Sequence, residues 1–435
     1  METINKSKFS FTQKISFKLL VIFCLIIFLQ IPLFLVKDVI RDRQSMQFQA
    51  QETISQRWGP NQYIGAPVLI KNSYSLNDKG EKQLISDSSN ATSAVYSIAL
   101  QAQKRYLGIF EAAIYTAEIE LKGEIDSTNL QPLNTVSKIF IPMREVRSIK
   151  NIDGIFINDI KIDSSPQYKT YNSIQGFTLD ISSLDLPSTF NYLIKLQTTG
   201  SQTFSIIPNA SSSSVVMQSN WESPSFIGNY LPDSREISKQ GFSAKWTINH
   251  LNFTSPINAR ATTSNHFVYE PKVEKFGVKI IIPANTYQVN TRTAKYSMLI
   301  ILLSFAGLFL SEVFFKIRLH PFQYLLIGVS LSLFYLLLLS LSEHLRFNLA
   351  FLLSAFSTIA LIAGYCSVVL GQRIRGIYTG VLFSTLYGFI FVLVKAEESS
   401  LLMGSIGLWI VLALVMYLTR KINWYESNGI NPPKP

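Results

Sequence analysis

Six long apolar stretches restrict this chain to folds that cross a lipid bilayer. A spanning helix needs about 20 mostly apolar residues to cross a hydrocarbon core of about 30 Å. The stretches that meet this length are Ile15–Val36, Ser297–Phe315, Phe322–Leu341, Phe347–Leu370, Gly376–Val394 and Leu401–Thr419. The first stands alone near the N-terminus, and the other five follow one another after residue 296. The sequence therefore predicts six transmembrane helices with a long insertion between helices 1 and 2.

Composition agrees with a membrane protein that carries a folded domain. Of 435 residues, 48% are hydrophobic and 15% are charged, whereas a soluble domain has about 25% charged residues. The 30 Phe and 19 Tyr argue against disorder, and 2 Cys are too few for a disulfide scaffold. Cys24 and Cys366 both lie in predicted spans, so the insertion has no cysteine for a disulfide or a thiol nucleophile.

The first span has two interpretations, a cleaved signal peptide or a permanent anchor. Lys6, Lys8 and Lys14 precede it, as basic residues precede a signal peptide. However, its apolar run exceeds the 7–15 residues of a secretory signal, and no A-x-A cleavage site follows. We expect an uncleaved anchor, followed by a helix over Asp38–Trp58 that continues the first span outward.

Lysine and arginine in the connections predict the orientation, because cytoplasmic loops are enriched in them. With the N-terminus inside, the cytoplasmic segments hold Lys6, Lys8, Lys14, Lys316, Arg318, Arg373, Arg375, Arg420, Lys421 and Lys434. The short outer loops hold only Arg346 and Lys395. The predicted organisation is a cytoplasmic N-terminus (1–14), helix 1 (15–36), an exported domain (37–296), a five-helix block (297–315, 322–341, 347–370, 376–394 and 401–419) and a cytoplasmic tail (420–435).

The exported domain has the two-residue periodicity of strands. β-rich runs occur at Gly108–Leu121, Lys138–Pro142, Gly154–Ile160, Gly176–Ile181, Phe190–Thr198, Thr203–Ile207, Ser213–Ser219, Gly241–Ile248 and Phe276–Ile282. Turn clusters separate them, one of them at Thr199–Ser201, and the polar segment Ser86–Ser93 is expected to be a surface loop. The predicted fold is a β-rich, sandwich-like antiparallel domain, formed as one sandwich or two.

Motifs for catalysis, metals and nucleotides are not found in this sequence. There is no H-E-x-x-H, C-x-x-C pair, G-x-S-x-G or P-loop pattern, and no two of the four His residues stand three or four positions apart. We therefore predict no catalytic residue, no metal site and no cofactor. No clustered basic stripe indicates a nucleic-acid partner, and the predicted partner is the lipid bilayer.

Ionisable residues at the spans are the remaining candidates for a site. Glu343 and His344 lie in one outer turn and Glu397 and Glu398 in the next, where all four face the exported domain. A histidine beside carboxylates titrates near neutral pH, which suggests a docking or proton-sensitive site; the alternative is that short turns simply need polar residues. Glu312, near Lys316, is expected to be a paired residue that snorkels to the interface. The spans themselves are expected to lack buried charges.

Several dense segments carry a resemblance to a known family. They are Arg57–Pro60, Gly65–Pro67, Ser219–Gly228, Tyr230–Pro232, Gly241–Trp246, Phe276–Val278, Ala294–Tyr296, His320–Tyr324, Phe334–His344, Leu401–Ser405 and Thr419–Tyr425. In this order they resemble the CreD family of bacterial inner-membrane proteins over nearly the whole chain. The outer loop Lys395–Glu398 departs from that family's Gln-x-Glu-Asp pattern.

The resemblance implies a physiological role and no catalytic residue. It places the chain in a bacterial inner membrane with a periplasmic 37–296 domain, and it links the protein to envelope integrity, colicin tolerance and the β-lactam response. The favoured hypothesis is a non-enzymatic envelope protein that binds a partner protein, lipid or wall component. The alternatives are a transporter or lipid-handling protein that uses the five-helix block, and an envelope hydrolase or transferase. The oligomeric state stays open.

Overall fold

The computed structural model describes residues 15–76, 82–130, 137–171, 173–249, 274–282, 286–315, 317, 319–396 and 399–420. The chain forms two compact units, one made of residues 1–46 and 284–435 and the other of residues 47–283. The first unit is helical, and the second is rich in strands. The predicted fold class, a helical membrane protein with an inserted β-rich domain, is therefore confirmed. The predicted domain bounds stay a prediction.

The helices of the described residues are α1 (Ile15–Phe28), α2 (Gln30–Trp58), α3 (Thr286–Lys295), α4 (Ser297–Phe315), α5 (Pro321–Ser342), α6 (Phe347–Val369), α7 (Arg373–Lys395) and α8 (Ser400–Thr419). Within the part of the chain that the structure describes, six helical segments are long and apolar enough to cross a membrane, one near the N-terminus and five in the C-terminal part. The helix expected after the anchor is also confirmed, because α2 extends to Trp58.

Helices α1 and α2 form one rod with an irregular turn at Leu29. Pro32 lacks the N–H that would bond to the carbonyl of Phe28, which explains why regular helix is interrupted there. The hydrogen bonding still continues through the turn, because Leu29 N–H donates to the Leu25 carbonyl (2.9 Å) and Leu33 N–H donates to the Leu29 carbonyl (3.4 Å). The helical segment is therefore continuous over Phe17–Trp58.

Two local features order the helical block. Helix α5 begins with Pro321, and His320 caps it: the His320 Nδ1 accepts from Phe322 N–H (3.2 Å) while Gln323 Oε1 accepts from His320 N–H (2.8 Å). Helices α6 and α7 approach closely at Gly376, where a Cβ would lie 2.6 Å from Ser367 Cβ. A small residue at this position lets the two helix backbones approach closely.

The β-rich domain contains sixteen strands within the described residues. They are β1 (Gln62–Gly65), β2 (Val68–Leu76), β3 (Lys82–Leu107), β4 (Phe110–Asp126), β5 (Ser137–Pro142), β6 (Ile149–Ile157), β7 (Ile160–Lys161), β8 (Gln167–Tyr171), β9 (Ile174–Asp180), β10 (Thr189–Ser201), β11 (Thr203–Ile207), β12 (Ser212–Ser219), β13 (Pro224–Gly228), β14 (Ser234–Ser238), β15 (Gly241–Ile248) and β16 (Phe276–Ile280).

The strands form two sheets. The larger runs in the order β7-β6-β10-β4-β3-β2-β5-β9-β8, with β12 paired to β3 and to β15, and β14 paired to β15. The smaller sheet has the order β1-β11-β16-β13. Pairing is antiparallel except for β1 with β11 and β12 with β3, which are parallel. The prediction of a β-rich, largely antiparallel domain is thus confirmed.

The core of this domain follows from side-chain alternation. In β10 the side chains of Phe190, Tyr192, Ile194 and Leu196 are buried, and the residues between them are more exposed. They belong to one apolar cluster that includes the fully buried Trp246 and extends over both sheets. Burial on this scale allows the domain to hold its shape without disulfides.

Two local sequence predictions are wrong. Ser86–Ser93, expected as a loop, lies inside β3, where Asn90 stands opposite Val68 and Ala94 opposite Gly123. The backbone ladder satisfies this polar segment whatever its side chains are, so polarity alone does not exclude a strand. The turn expected at Thr199–Ser201 is the end of β10, and the backbone leaves extended geometry at Gln202 (φ 54°), between β10 and β11.

Two asparagines join separate parts of the β-rich domain. Asn209 is fully buried; its Oδ1 accepts from Ala66 N–H (2.7 Å), and its Nδ2 donates to the Ala66 carbonyl (2.8 Å). Asn220 contacts the backbone of Ala102 in the same way, at 2.8 and 3.1 Å. Each side-chain amide therefore replaces one step of a backbone ladder.

Candidate functional site

One face of the N-terminal helix is buried in the helical block. The residues of this face recur at helical spacing and so form one narrow stripe along the helix. The stripe consists of Lys18, Ile22, Leu29, Leu33, Ile40 and Arg43. The four apolar members are buried, with Leu29 fully so. Gly328 of α5 leaves room for Leu29, because a Cβ there would lie 2.2 Å from Leu29 Cδ1. The stripe begins and ends with a cation.

Lys18 pairs with a buried carboxylate of α4. Its Nζ lies 2.5 Å from Glu312 Oε1, and it also donates to the Leu319 carbonyl (3.0 Å). The other oxygen, Oε2, accepts from the Tyr324 hydroxyl (3.0 Å), and Leu319 N–H donates to Oε1. These four residues, Lys18, Glu312, Leu319 and Tyr324, are called the Lys18 cluster below. It joins α1, α4, the α4–α5 connection and α5.

The Lys18 cluster satisfies a charge that would otherwise be costly in the membrane. The Glu312 side chain is 5% exposed, and both of its oxygens accept hydrogen bonds from protein groups. An unpaired carboxylate at this depth costs several kcal/mol, so removing one partner of such a pair is strongly destabilising. The ion pair and the hydrogen bonds therefore hold the N-terminal helix against the helical block.

A second cluster lies at the other cation of the stripe. Arg43 Nε is 3.5 Å from Glu343 Oε1, which also accepts from the Tyr287 hydroxyl (3.1 Å). Burial raises the pKa of Tyr287, and the negative charge of Glu343 raises it further. These three residues, Arg43, Tyr287 and Glu343, are called the Arg43 cluster below. They connect α2, α3 and the C-terminal end of α5.

The short helix α3 holds the Arg43 cluster in place. Its Asn290 is buried and donates through Nδ2 to the Ser342 hydroxyl (2.6 Å), one residue before Glu343. Ser342 in turn donates to the Leu339 carbonyl (2.9 Å). Helix α3 is therefore fixed against the end of α5 by an ordered polar contact beside the carboxylate.

The two clusters have the same chemistry at different depths. In each, a carboxylate of the C-terminal block accepts from a tyrosine hydroxyl and pairs with a cation of the N-terminal helix. Lys18 and Arg43 are 25 positions apart, which corresponds to roughly 37 Å along a helix, longer than a hydrocarbon core of about 30 Å. The two contacts between the N-terminal helix and the block are thus farther apart than the thickness of a hydrocarbon core.

The predicted site residues have different outcomes. Glu343 is in the Arg43 cluster, with its side chain 11% exposed, while the adjacent His344 is exposed. Glu397 and Glu398 lie outside the described residues. The expected role of these four residues as one site therefore stays a prediction.

The expectation about charge in the spans is wrong. Glu312 is buried and paired with Lys18; its expected neighbour Lys316 lies outside the described residues. Lys18 and Glu312 are charged residues inside apolar stretches, and this is the sequence signal that could have identified their pairing. No sequence signal distinguishes Tyr287 and Tyr324 from the other tyrosines, of which the chain has 19 in all. Within the described part of the chain, no three His, Cys, Asp or Glu side chains are grouped so that they could hold a metal ion.

The fold and the clusters define an integral multi-pass membrane protein with a β-rich domain inserted after its first span. The family model described as "Inner membrane protein CreD" matches residues 14–425. The inner membrane protein CreD of Escherichia coli (strain K12) is 28% identical over 422 residues, which cover 94% of this chain and 93% of that protein. The chain belongs to the CreD family, and it is a multi-pass protein of the inner membrane.

Proposed function

We propose that this protein is a non-enzymatic support of cell-envelope integrity under envelope stress. In this proposal both termini are cytoplasmic and residues 37–296 are periplasmic, in accord with the distribution of lysine and arginine. The β-rich domain binds an envelope protein, a lipid or a wall component. The helical block holds that domain at the membrane.

The observation that carries the proposal is the anchoring of the N-terminal helix. A simple membrane tether needs only an apolar helix, which lipid solvates without further contacts. Here the helix has a buried stripe and an ion pair in each cluster, at Glu312 and at Glu343. Such fixation supports a role in which the helix that leads into the β-rich domain is held firmly, as a scaffold requires.

The experiment is complementation of a deletion strain under detergent and β-lactam stress. The test variant neutralises the four predicted outer residues Glu343, His344, Glu397 and Glu398, and its membrane abundance is compared with that of wild type. Failed rescue at normal abundance is expected if the outer turns act directly. Normal rescue would assign them a connecting role only. A deletion strain without any stress phenotype would contradict the proposed function itself.

A lipid-handling role for the five-helix block is the second candidate, and one observation favours it. A groove of about 430 Å³ runs between α5 and α6. Its lining consists of leucines and hydroxyl residues: Leu333, Leu336, Leu337, Leu361, Ser330, Ser340, Ser357 and Thr358. An acyl chain matches this lining. Lipid retained by the purified wild type and lost by Leu337→Trp would support this role, and equal lipid content in both would contradict it.

A further inference from the structure

One cation of the β-rich domain lies over the Tyr63 ring, and the backbone of a second basic residue contacts Tyr63. Lys275, directly before β16, places its Nζ 4.1 Å from the centroid of the Tyr63 ring. Arg144 follows β5, and its backbone N–H donates to the Tyr63 carbonyl (3.4 Å). Three separate parts of the domain, β1, the end of β5 and the start of β16, thus bring these residues together.

The Tyr63 ring is a fixed platform for Lys275. Tyr63 is only 7% exposed, and its hydroxyl accepts from Gln175 N–H of β9 (3.1 Å). A ring held by packing and by a backbone hydrogen bond keeps one orientation. A lysine at 4.1 Å from such a ring gains a cation–π contact and loses part of its hydration.

The two cations repel each other and have no acidic partner among the described residues. Burial lowers the pKa of Lys275, and the positive charge of Arg144 lowers it further. The carboxylates next to them in sequence are engaged elsewhere: Glu145 Oε1 accepts from Arg147 N–H (3.2 Å), and Glu274 Oε2 accepts from the Tyr230 hydroxyl (3.1 Å). None of the ion pairs in the described part of the chain includes Arg144 or Lys275.

We propose that Arg144 and Lys275, with the Tyr63 ring, form a binding site for a phosphate group. A guanidinium offers two parallel donors that match phosphate oxygens, and an ammonium adds a second charge. A bound phosphate places negative charge between two cations and so offsets their repulsion. This inference rests on the proposed function, because it names the chemistry of the ligand that the β-rich domain takes. The phosphate belongs to a lipid headgroup or to a soluble phosphorylated compound.

The test uses full-length protein in nanodiscs of phosphatidylcholine. One arm measures binding of inorganic pyrophosphate by calorimetry, and the other measures flotation with phosphatidylglycerol vesicles against phosphatidylcholine vesicles. The test variant is Arg144→Gln/Lys275→Gln. The matched control, Lys245→Gln/Lys279→Gln, removes the same charge from exposed positions of β15 and β16.

We expect the test variant to bind at least about tenfold more weakly than wild type, because two charge-assisted contacts are lost, while the control stays within about twofold. A loss in the pyrophosphate arm indicates a soluble ligand, and a loss only in the vesicle arm indicates a lipid headgroup. Equal binding by wild type, test variant and control in both arms would overturn the site. Complementation of the deletion strain tests the proposed function independently of the phosphate site. If wild type rescues the strain but binds phosphate in neither arm, the site is overturned and the proposed function stands.

Discussion

The Nζ of Lys18 lies 2.5 Å from Glu312 Oε1, although the two residues are 294 positions apart in the chain. This contact joins the N-terminal helix to the second span, across the whole β-rich insertion. Glu312 is buried, so the pair replaces hydration that the membrane does not supply. The insertion therefore begins and ends on helices that are bound to each other.

Breaking the Lys18 cluster should destabilise the helical block. Lys18→Met leaves a buried carboxylate without its cation, and Glu312→Gln leaves the cation without its carboxylate. We expect each to lower the free energy of unfolding by about 3–5 kcal/mol. Thermal unfolding of the purified protein in detergent measures the loss.

Lys37→Met is the matched control for Lys18→Met, because Lys37 lies on the same helix outside the buried stripe. Its effect should be within about 0.5 kcal/mol. The double variant Lys18→Met/Glu312→Gln should lose less than the sum of the two single losses, since it leaves no unpaired charge. Additive losses would show that the two residues are not coupled.

Gly328 should be needed for the approach of the N-terminal helix. In Gly328→Ala the new Cβ would lie 2.2 Å from Leu29 Cδ1 and 3.1 Å from the Phe305 ring. Overpacking of this kind costs about 1–3 kcal/mol. We expect a lower midpoint of thermal unfolding, and partial recovery in Gly328→Ala/Leu29→Ala.

Gly364→Ala in α6 provides the comparison, because no atom lies within 4 Å of the Cβ it would add. Alanine is the better helix former by about 1 kcal/mol, so this variant should be neutral or slightly more stable. Equal effects of Gly328→Ala and Gly364→Ala would argue against close packing of Leu29 on α5.

The fold could be predicted largely because its signals are local. Length and hydropathy define the spans, and clean alternation gave β11 and β15 their observed bounds. The part of β3 at Ser86–Ser93 could not be predicted from the sequence, because a polar segment forms a strand there only through its hydrogen bonds to β2 and β4. Such pairing joins residues distant in sequence, which no short window detects.

Tyr287 should make stability sensitive to alkaline pH. Burial and Glu343 raise the pKa of Tyr287, so its folded-state pKa lies above the unfolded value of about 10. The contribution of the hydroxyl is therefore complete below pH about 10 and is lost as pH rises toward the folded-state pKa. We expect the melting temperatures of wild type and Tyr287→Phe to converge above pH about 10. Parallel curves throughout would contradict this assignment.

Asn209 should be needed for the β-rich domain. Asn209→Ala leaves the N–H and the carbonyl of Ala66 without their partners in a buried position. We expect a loss of about 2–6 kcal/mol, since each of the two unsatisfied buried groups costs about 1–3 kcal/mol. Faster cleavage of the domain in limited proteolysis reports the loss. Asn220→Ala should have a smaller effect, because Asn220 is exposed and its hydrogen bonds are only partly buried. The reverse order would contradict this explanation.

The candidate site was less predictable than the fold. Glu343 was identified because charged residues in short outer turns are visible in the sequence. The partners Arg43 and Tyr287 belong to other helices, and only packing brings them together. Glu312 was expected near Lys316 because helix-local spacing is the only pairing rule that a single sequence offers. Its observed partner, Lys18, is on a different helix.

The most direct test of the account exchanges the charges of the Lys18 cluster. Lys18→Glu, Glu312→Lys and the double exchange are compared for rescue of a deletion strain under detergent and β-lactam stress, at matched membrane abundance. We expect both single variants to fail and the double exchange to restore growth, because only it re-forms the buried pair. Full rescue by either single variant would contradict the claim that this anchoring supports the envelope.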